Sequence, residues 1–262
     1  MSRRSTAWPA GTPCWVDLSA ADLESAQRAY AATLGWAYDP PSETYGGYAT
    51  ARVDGAVASG VAPVMQGASP AWTVYLASDD ADATAAAIAA HGGTVLVGPM
   101  DVAPFGRMLI ALDPQGAAFG VWQHGEMIGA QVVNEPGGLI WEQLAVPDPQ
   151  AAQAFYGGVF GWSFSPMPGA PDDGHVTFHP APGEPPMGGI NPHTDGTPAH
   201  WLPYFAVVDA DAAVAAATAG GGTLVGEPLD SPWGRMATLR DAEGATYAVM
   251  GTDGSSAPDR MG

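Results

Sequence analysis

The sequence predicts an α+β protein made of four copies of one β-α-β-β-β module, arranged as two tandem domains. Four segments begin in the same way, with a tryptophan that opens a short alternating strand before a helix; they start at Trp15, Trp72, Trp141 and Trp201. The two halves also match each other, since QRAYAATLGW at 27–36 corresponds to QAFYGGVFGW at 153–162 and the offset stays at 126 to 129 residues. Self-similarity at a fixed spacing indicates duplication of a structural unit.

Local signals define the elements of each module. Asp22 and Asp148 precede alanine-rich stretches and are predicted N-caps, because an aspartate side chain accepts hydrogen bonds from the free N–H groups of a first helical turn. Gly35 and Gly161 end the same stretches, as expected of residues that readily adopt a left-handed conformation. Short alternating segments, separated by turns such as DPQG and DAEG, follow as predicted strands.

A second long match divides the chain into domains. GPMDVAPFGRMLIALDPQGAAFGVW at 98–122 corresponds to GEPLDSPWGRMATLRDAEGATYAVM at 226–250. The segment 125–138 between the halves contains the glycine and proline typical of a linker. We therefore expect an N-terminal domain over 11–124 and a C-terminal domain over 139–252.

The composition restricts partners and compartment. The 262 residues carry a net charge of −19 with only 8 lysines and arginines, which argues against nucleic acid and anionic membrane surfaces as partners. Cys14 is the single cysteine, so no internal disulfide is expected. The N-terminal segment lacks the apolar stretch of a signal peptide, and we expect a cytoplasmic protein.

The motifs FYGGVFGW after VPDP, and DPQGAAFGVW after FGRM, resemble those of the vicinal oxygen chelate (glyoxalase, bleomycin-resistance and dioxygenase) superfamily. The resemblance covers about residues 11–252 and is greatest to two-domain glyoxalase-like "hydroxylase" proteins of actinobacteria. It implies tandem glyoxalase-like domains, in each of which two βαβββ modules form an open, curled mixed β-sheet cup with flanking helices.

The resemblance also locates the metal ligands of metal-using members, which sit where the first strand of each module starts and where its last strands end. Here these positions fall on residues without a metal-binding side chain: Trp15, Trp72, Trp141, Trp201, Gly60, Gly120, Gly189 and Ala248. Divalent metals in such cups need imidazole or carboxylate ligands. We therefore expect no metal there, and neither ordinary glyoxalase isomerisation nor extradiol dioxygenation.

Aromatic side chains are expected to line the cups instead. Alternate strand residues share a face, so Trp15 in the cavity places Asp17 beside it, and Trp141 places Gln143. The predicted substrate-binding residues in the two cups are Trp15, Trp72, Trp122, Trp141, Gln143 and Trp201. The alternative is that these tryptophans simply fill the mouths of the barrels as core.

Candidate catalytic groups are few. Asp17 is the carboxylate expected inside a cup, where burial would raise its pKa and suit it to proton transfer, or where it merely accepts structural hydrogen bonds. His175 and His179 share a strand face and His193 lies on a loop; each is either a general base or an ordinary surface histidine. Glu142 falls on the opposite strand face and marks a possible contact between domains.

The cations Arg107 and Arg235 occupy matching positions in FGRM and WGRM, where they either bind a substrate carboxylate or enolate or form ion pairs with neighbouring acids. Nothing near Cys14 in the sequence would stabilise a thiolate nucleophile. Phosphate-loop, nucleophile-elbow and zinc motifs are absent from the sequence, so no nucleotide, flavin or zinc cofactor is expected.

Two functions remain. The first is a metal-independent, cofactor-free enzyme of secondary metabolism that acts on a hydrophobic aromatic or polyketide-like small molecule by cyclisation, isomerisation, elimination or hydroxylation. The second is a non-catalytic protein that binds and sequesters a planar toxic metabolite and so confers resistance. The duplication makes a monomer, as a pseudo-dimer of domains, or a homodimer the expected state.

Overall fold

A computed structural model describes residues 3–171, 173–193 and 196–252. The first half contains eight strands and two helices: β1 (Pro13–Ala20), α1 (Leu23–Leu34), β2 (Ala37–Tyr38), β3 (Ala49–Val53), β4 (Ala56–Pro63), β5 (Ala71–Ala77), α2 (Ala81–Ala90), β6 (Thr94–Val102), β7 (Gly106–Leu112) and β8 (Ala118–His124). The second half repeats this order: β9 (Leu139–Val146), α3 (Pro149–Phe160), β10 (Ser163–Pro166), β11 (Val176–His179), β12 (Gly188–Pro192), β13 (His200–Val207), α4 (Ala210–Ala219), β14 (Thr223–Ser231), β15 (Gly234–Arg240) and β16 (Thr246–Gly251).

The helices begin and end at the predicted signals. The Asp22 carboxylate accepts a hydrogen bond from the Ser25 N–H, and the Asp148 carboxylate accepts one from Gln150 and one from Ala151. Gly35 and Gly161 close their helices with φ of 73° each, a conformation that a side chain disfavours. None of the helices in the described parts of the chain is long and apolar enough to cross a membrane.

Each half forms one eight-stranded mixed sheet, and the predicted fold class is confirmed. The orders are β2-β3-β4-β1-β5-β8-β7-β6 and β10-β11-β12-β9-β13-β16-β15-β14. The parallel pairs β1–β4 and β5–β8 lie within single modules, whereas the antiparallel pair β1–β5 joins the two modules at the sheet centre. One face of each sheet carries the helices; we call the other face cup one in the first domain and cup two in the second.

The helix faces of the two sheets pack against each other through two chains of hydrogen bonds that cross between the domains. Trp72 Nε1 donates to the Tyr30 hydroxyl at 3.1 Å, and this hydroxyl donates to Asp241 of the second domain at 2.9 Å. In the reciprocal chain, Trp201 Nε1 donates to the Tyr156 hydroxyl at 3.0 Å, and this hydroxyl donates to Asp113 of the first domain at 3.3 Å. The two cups therefore face away from the interface.

Further reciprocal contacts reinforce the interface. Trp36 Nε1 donates to the Gly137 carbonyl at 2.7 Å, and Trp162 Nε1 donates to the Gly11 carbonyl at 2.8 Å. The turns after β7 and β15 each hold the start of the opposite domain's first helix. The Gln115 side chain bonds both backbone groups of Asp148 at 2.8 Å, and the Glu243 carboxylate accepts from the amides of residues 21 and 22.

Glu142 is an exception to the good hydrogen bonding of this core. Its side chain is 0% exposed, and neither carboxyl oxygen meets a hydrogen-bond donor in the described part of the chain. Burial raises the pKa of Glu142 well above its ordinary value, because a low-dielectric environment disfavours the charged form. Burial raises the pKa of the Cys14 thiol in the first domain, and the Glu142 carboxyl of the second domain adds to this effect, so the two groups influence each other electrostatically across the domains.

Replacing Glu142 by methionine is expected to stabilise the protein by about 1–3 kcal/mol, because it removes an unpaired buried polar group from a site where the first domain has Val16. Since the folded-state pKa is raised, the wild type loses stability as the pH rises above the ordinary pKa of 4.5, and the gain should be larger at alkaline pH. Urea unfolding at two pH values measures it.

Glu142→Gln is the matched control for this prediction, since it keeps the shape and the polarity but cannot ionise. Unlike the methionine variant, Glu142→Gln should gain only the pH-dependent part of the unfolding free energy, because it still buries an unpaired polar group. A methionine variant that is no more stable than the wild type at alkaline pH would show that the carboxyl has partners that compensate its burial.

Candidate functional site

Three aromatic side chains converge on a single carboxylate in cup one. The Tyr75 hydroxyl donates to Asp17 Oδ2 at 3.1 Å, and the Tyr48 hydroxyl donates to the same oxygen at 3.4 Å. The indole Nε1 of Trp15 donates in turn to the Tyr48 hydroxyl at 3.0 Å. Strands β1 and β5, and the residue just before β3, therefore supply one connected network at the centre of the sheet.

Two glycines make room for these tyrosines. Gly60 is paired with Asp17, and Gly120 is paired with Tyr75. A Cβ atom at Gly60 would overlap the Tyr48 hydroxyl, and one at Gly120 would overlap the Tyr75 ring. These are the positions at which the resemblance places metal-binding carboxylates, so the phenol rings fill the space that such side chains would need.

The network holds Asp17 close to its titration point at neutral pH. Burial raises the pKa of Asp17 to about 7, although the hydrogen bonds from Tyr75 and Tyr48 act in the opposite direction. Burial and the nearby Asp17 charge raise the pKa of both tyrosines well above the ordinary value, so their hydroxyls stay protonated. As a whole residue, Asp17 keeps partial solvent exposure on the cup face.

The rim of cup one is closed where the two edges of the sheet meet. Tyr45, between β2 and β3, packs against Phe105, between β6 and β7, with ring centroids 5.4 Å apart. The Tyr45 hydroxyl also donates to the Ala103 carbonyl at 2.8 Å. Trp122 lies on the cup face beside Met108 and donates to the Met127 carbonyl at 2.8 Å.

Cup two has the same framework with different chemistry. Trp141, Gln143 and Tyr204 stand where cup one has Trp15, Asp17 and Tyr75. The Tyr204 hydroxyl donates to Gln143 Oε1 at 3.0 Å. An uncharged amide therefore replaces the carboxylate.

The expectation that Trp72 and Trp201 line the cups is wrong. Both lie on the helix faces, where they donate to Tyr30 and Tyr156. The helices of the second modules begin after Asp80 and Asp209, and the spacing used for Trp15 gives Thr73 and Leu202 instead. A shift of one residue along a strand moves a side chain to the other face of the sheet.

Arg107 and Arg235 also lie on the helix side, where they form ion pairs, and the expectation that they reach a ligand in the cups is wrong. Arg107 bonds Asp82 of α2 at 3.0 Å and Asp101 at 2.6 Å. The other guanidinium, that of Arg235, bonds Asp211 of α4 at 2.8 Å and Asp230 at 2.9 Å. Their strand neighbours Met108 and Met236 point into the cups.

The three candidate histidines all belong to the second domain, so none of them joins Asp17 in cup one. His175 pairs with Asp173 at the start of β11. His179 bonds the Thr177 hydroxyl at 3.0 Å and the Glu184 carbonyl at 2.7 Å. The ring of His193 packs edge-on against His200, with centroids 5.5 Å apart, just after β12 ends.

The residues at the ligand positions do not fit a divalent metal. With the second-module positions corrected, cup one has Trp15, Gly60, Thr73 and Gly120, and cup two has Trp141, Gly189, Leu202 and Ala248. None offers the imidazole or carboxylate that such a site requires. Within residues 3–171, 173–193 and 196–252, no group of three or more His, Cys, Asp or Glu side chains is arranged to hold a metal ion.

Two curled sheets of paired βαβββ modules, with the candidate site on the concave face, define the glyoxalase-like class, and the chain belongs to the vicinal oxygen chelate superfamily. A family model for a glyoxalase-like domain matches residues 143–250. CFP32 of Mycobacterium tuberculosis, provisionally named a glyoxylase, is 40% identical over 92% of this chain and 94% of its own. The anthracycline biosynthesis protein DnrV of Streptomyces peucetius is 36% identical over 94% of each chain.

Solved structures show the same fold at low sequence identity. The 2,3-dioxygenase LapB from Pseudomonas sp. KL28 matches with a TM-score of 0.65 and 13% identity, over 94% of this chain and 93% of that one. The Mn(II)-bound glyoxalase from Novosphingobium aromaticivorans matches with a TM-score of 0.60 and 17% identity, over 97% and 86%.

Replacing Asp17 by asparagine is expected to stabilise the protein at neutral pH. The folded-state pKa of about 7 exceeds the ordinary value of 3.8, so the wild type loses stability as the pH rises through this interval and no further above it. The variant should gain on the order of 2 kcal/mol in unfolding free energy at about pH 8, after allowance for partial solvent access. Urea unfolding measures the difference, and a gain that does not change with pH would contradict it.

Adding a methyl group at Gly60 or Gly120 is expected to destabilise the protein by about 1–3 kcal/mol, because either alanine would displace a tyrosine of the network. Gly157→Ala in α3 is the matched control. Its Cβ would meet its nearest neighbour, Phe164, at an ordinary 3.4 Å, and alanine favours a helix, so a small gain is expected. Denaturant unfolding compares the unfolding free energies of the three alanine variants. Equal values would show that the tyrosines can move aside at no cost.

Proposed function

We propose that this protein is a metal-independent enzyme that binds a hydrophobic aromatic or polyketide-like molecule in cup one and moves a proton with Asp17. The observation that carries the proposal is the Asp17 carboxyl at the centre of cup one, which accepts hydrogen bonds from two tyrosine hydroxyls and whose pKa burial raises to about 7. A group whose pKa lies near the working pH can both remove and return a proton.

The surroundings of Asp17 suit a carbonyl or phenol substrate. The partly exposed side chains on the same face include polar and apolar ones, among them Ser19, Thr50, Thr73, Met108 and Ile110. An apolar pocket with a few convergent polar groups is the usual form of a small-molecule site. Once Asp17 has taken a proton from the substrate, the Tyr75 or Tyr48 hydroxyl could turn its single proton from Asp17 to an enolate or phenolate oxygen and stabilise the negative charge there.

The likeness to DnrV supports a substrate of secondary metabolism. The name of that relative, and of DauV from Streptomyces sp. (strain C5), places those proteins in anthracycline biosynthesis. We accordingly assign to cup one a fused-ring aromatic ketone or quinone, and a reaction that begins with proton transfer at carbon or oxygen, such as cyclisation, isomerisation or elimination.

Proton exchange with solvent tests this function without knowledge of the final product. A panel of aromatic ketones and hydroxyanthraquinones is incubated with the protein in D2O, and exchange at acidic C–H positions is followed by NMR. The wild type should accelerate exchange of at least one compound, with a rate that changes around pH 7. Asp17→Asn should lower that rate by a factor of about 100 or more and leave the dissociation constant within a few-fold.

Gln143→Asn alters the polar centre of cup two and leaves cup one as it is, so it serves as the comparison for the folded state. Exchange that persists in Asp17→Asn would remove Asp17 from the mechanism. If the wild type binds members of the panel and exchanges none of them, the enzyme proposal fails, and binding and sequestration of a planar metabolite becomes the function.

A further inference from the structure

We infer that cup two is a second small-molecule site, which holds a neutral, planar, carbonyl-bearing ligand through the Gln143 amide and the Trp141 indole and takes no part in proton transfer. The ligand class rests on the proposed function, whereas the site itself rests on the geometry of the second domain. The two cups of the duplicated fold would then differ in role: cup one transfers a proton, and cup two only binds an uncharged ligand.

The polar centre of cup two is arranged to donate hydrogen bonds. Gln143 is partly exposed, and its Oε1 atom accepts the Tyr204 hydroxyl at 3.0 Å. Burial raises the pKa of Tyr204 to about 12, so the hydroxyl remains a donor. This bond uses the amide oxygen as an acceptor, so the Nε2 group, which carries two donors, is the part of the amide that we assign to the ligand. A carbonyl oxygen is the matching partner.

The indole of cup two is accessible, unlike its counterpart. Trp15 is 2% exposed and is held by its bond to Tyr48, so it supports the network of cup one rather than offering a face to a ligand. Trp141 keeps partial exposure, and its six-membered ring lies over Gly189. Planar rings stack well on such an exposed aromatic face.

Flexible thioethers complete the lining. The Met167 methyl group lies above Gly189, in the place that the Tyr48 hydroxyl takes above Gly60. Met236 and Met250 pair across β15 and β16 on the same cup face. With Tyr204, Ala248 and Trp141, the last two methionines belong to an apolar cluster separate from the main core. Methionine side chains adapt to ligands of different outline, which suits cup two to planar molecules of varied shape.

The rim of the second cup also differs from that of the first. Phe105, which packs on Tyr45 in the first domain, corresponds to Trp233 in the β14–β15 hairpin. Trp233 is 38% exposed, so an aromatic surface lies at the edge of cup two. An apolar ligand that enters this cup would bury part of that surface together with Trp141.

The number of bound ligands tests the inference. Titration of the full-length protein with 1,8-dihydroxyanthraquinone, followed by tryptophan fluorescence and calorimetry, should give two equivalents in the wild type. Gln143→Leu and Trp141→Leu should each weaken one of the two sites tenfold or more, whereas Trp141→Phe, which keeps an aromatic face, should stay within about threefold. Asp17→Asn is the matched variant of cup one. It should still bind the ligand at cup two, the site that Gln143→Leu and Trp141→Leu weaken.

Two results would overturn the inference. One is a single equivalent bound by the wild type and affected only by changes in cup one. The other is unchanged binding in both Gln143→Leu and Trp141→Leu when their thermal unfolding shows that they are folded. The count of bound ligands is independent of proton exchange. If two equivalents of ligand bind but no proton exchange occurs, the proposed reaction fails and the site in cup two stands. If one equivalent binds in cup one and proton exchange occurs, the proposed reaction stands and the site in cup two fails.

Discussion

The two Trp–Tyr–Asp hydrogen-bond chains across the domain interface fix the arrangement of the two sheets. Because Trp72 and Trp201 donate to tyrosines of α1 and α3, and those tyrosines bond an aspartate of the opposite domain, the helix faces of both sheets are buried against each other. The concave faces lie on the opposite side of each sheet, away from this interface. The chains bury polar groups with their partners supplied, which makes the interface specific as well as apolar.

In cup one, glycines stand at the positions where the resemblance places metal-binding carboxylates, and they are also what makes room for the Asp17 network. Gly60 and Gly120 lack the atoms that would ligate a metal, and the same lack of atoms lets Tyr48 and Tyr75 reach Asp17. The Asp17 carboxyl, with its two tyrosine donors, therefore lies beside the positions at which the resemblance places metal ligands. The second domain keeps the plan but has an amide, so one scaffold holds two different polar centres.

Features that depend on neighbouring residues could be predicted from the sequence, and features that depend on distant contacts could not. The caps at Asp22 and Asp148, the duplication and the inward direction of Asp17 follow from local spacing. The prediction that Trp72 lies on the cup face was wrong because the position within its strand was counted one residue out of step. The Tyr48–Asp17 bond joins residues 31 positions apart, so its only sequence signal was a glycine at each expected ligand position.

The most direct measurement is carbon NMR of protein labelled at the aspartate carboxyl groups, recorded across the neutral pH range. One aspartate resonance should titrate near pH 7, and it should be missing from Asp17→Asn, which assigns it. If every aspartate titrates near the ordinary value of 3.8, Asp17 is a permanently ionised structural acceptor, and it has no proton to give or take at neutral pH.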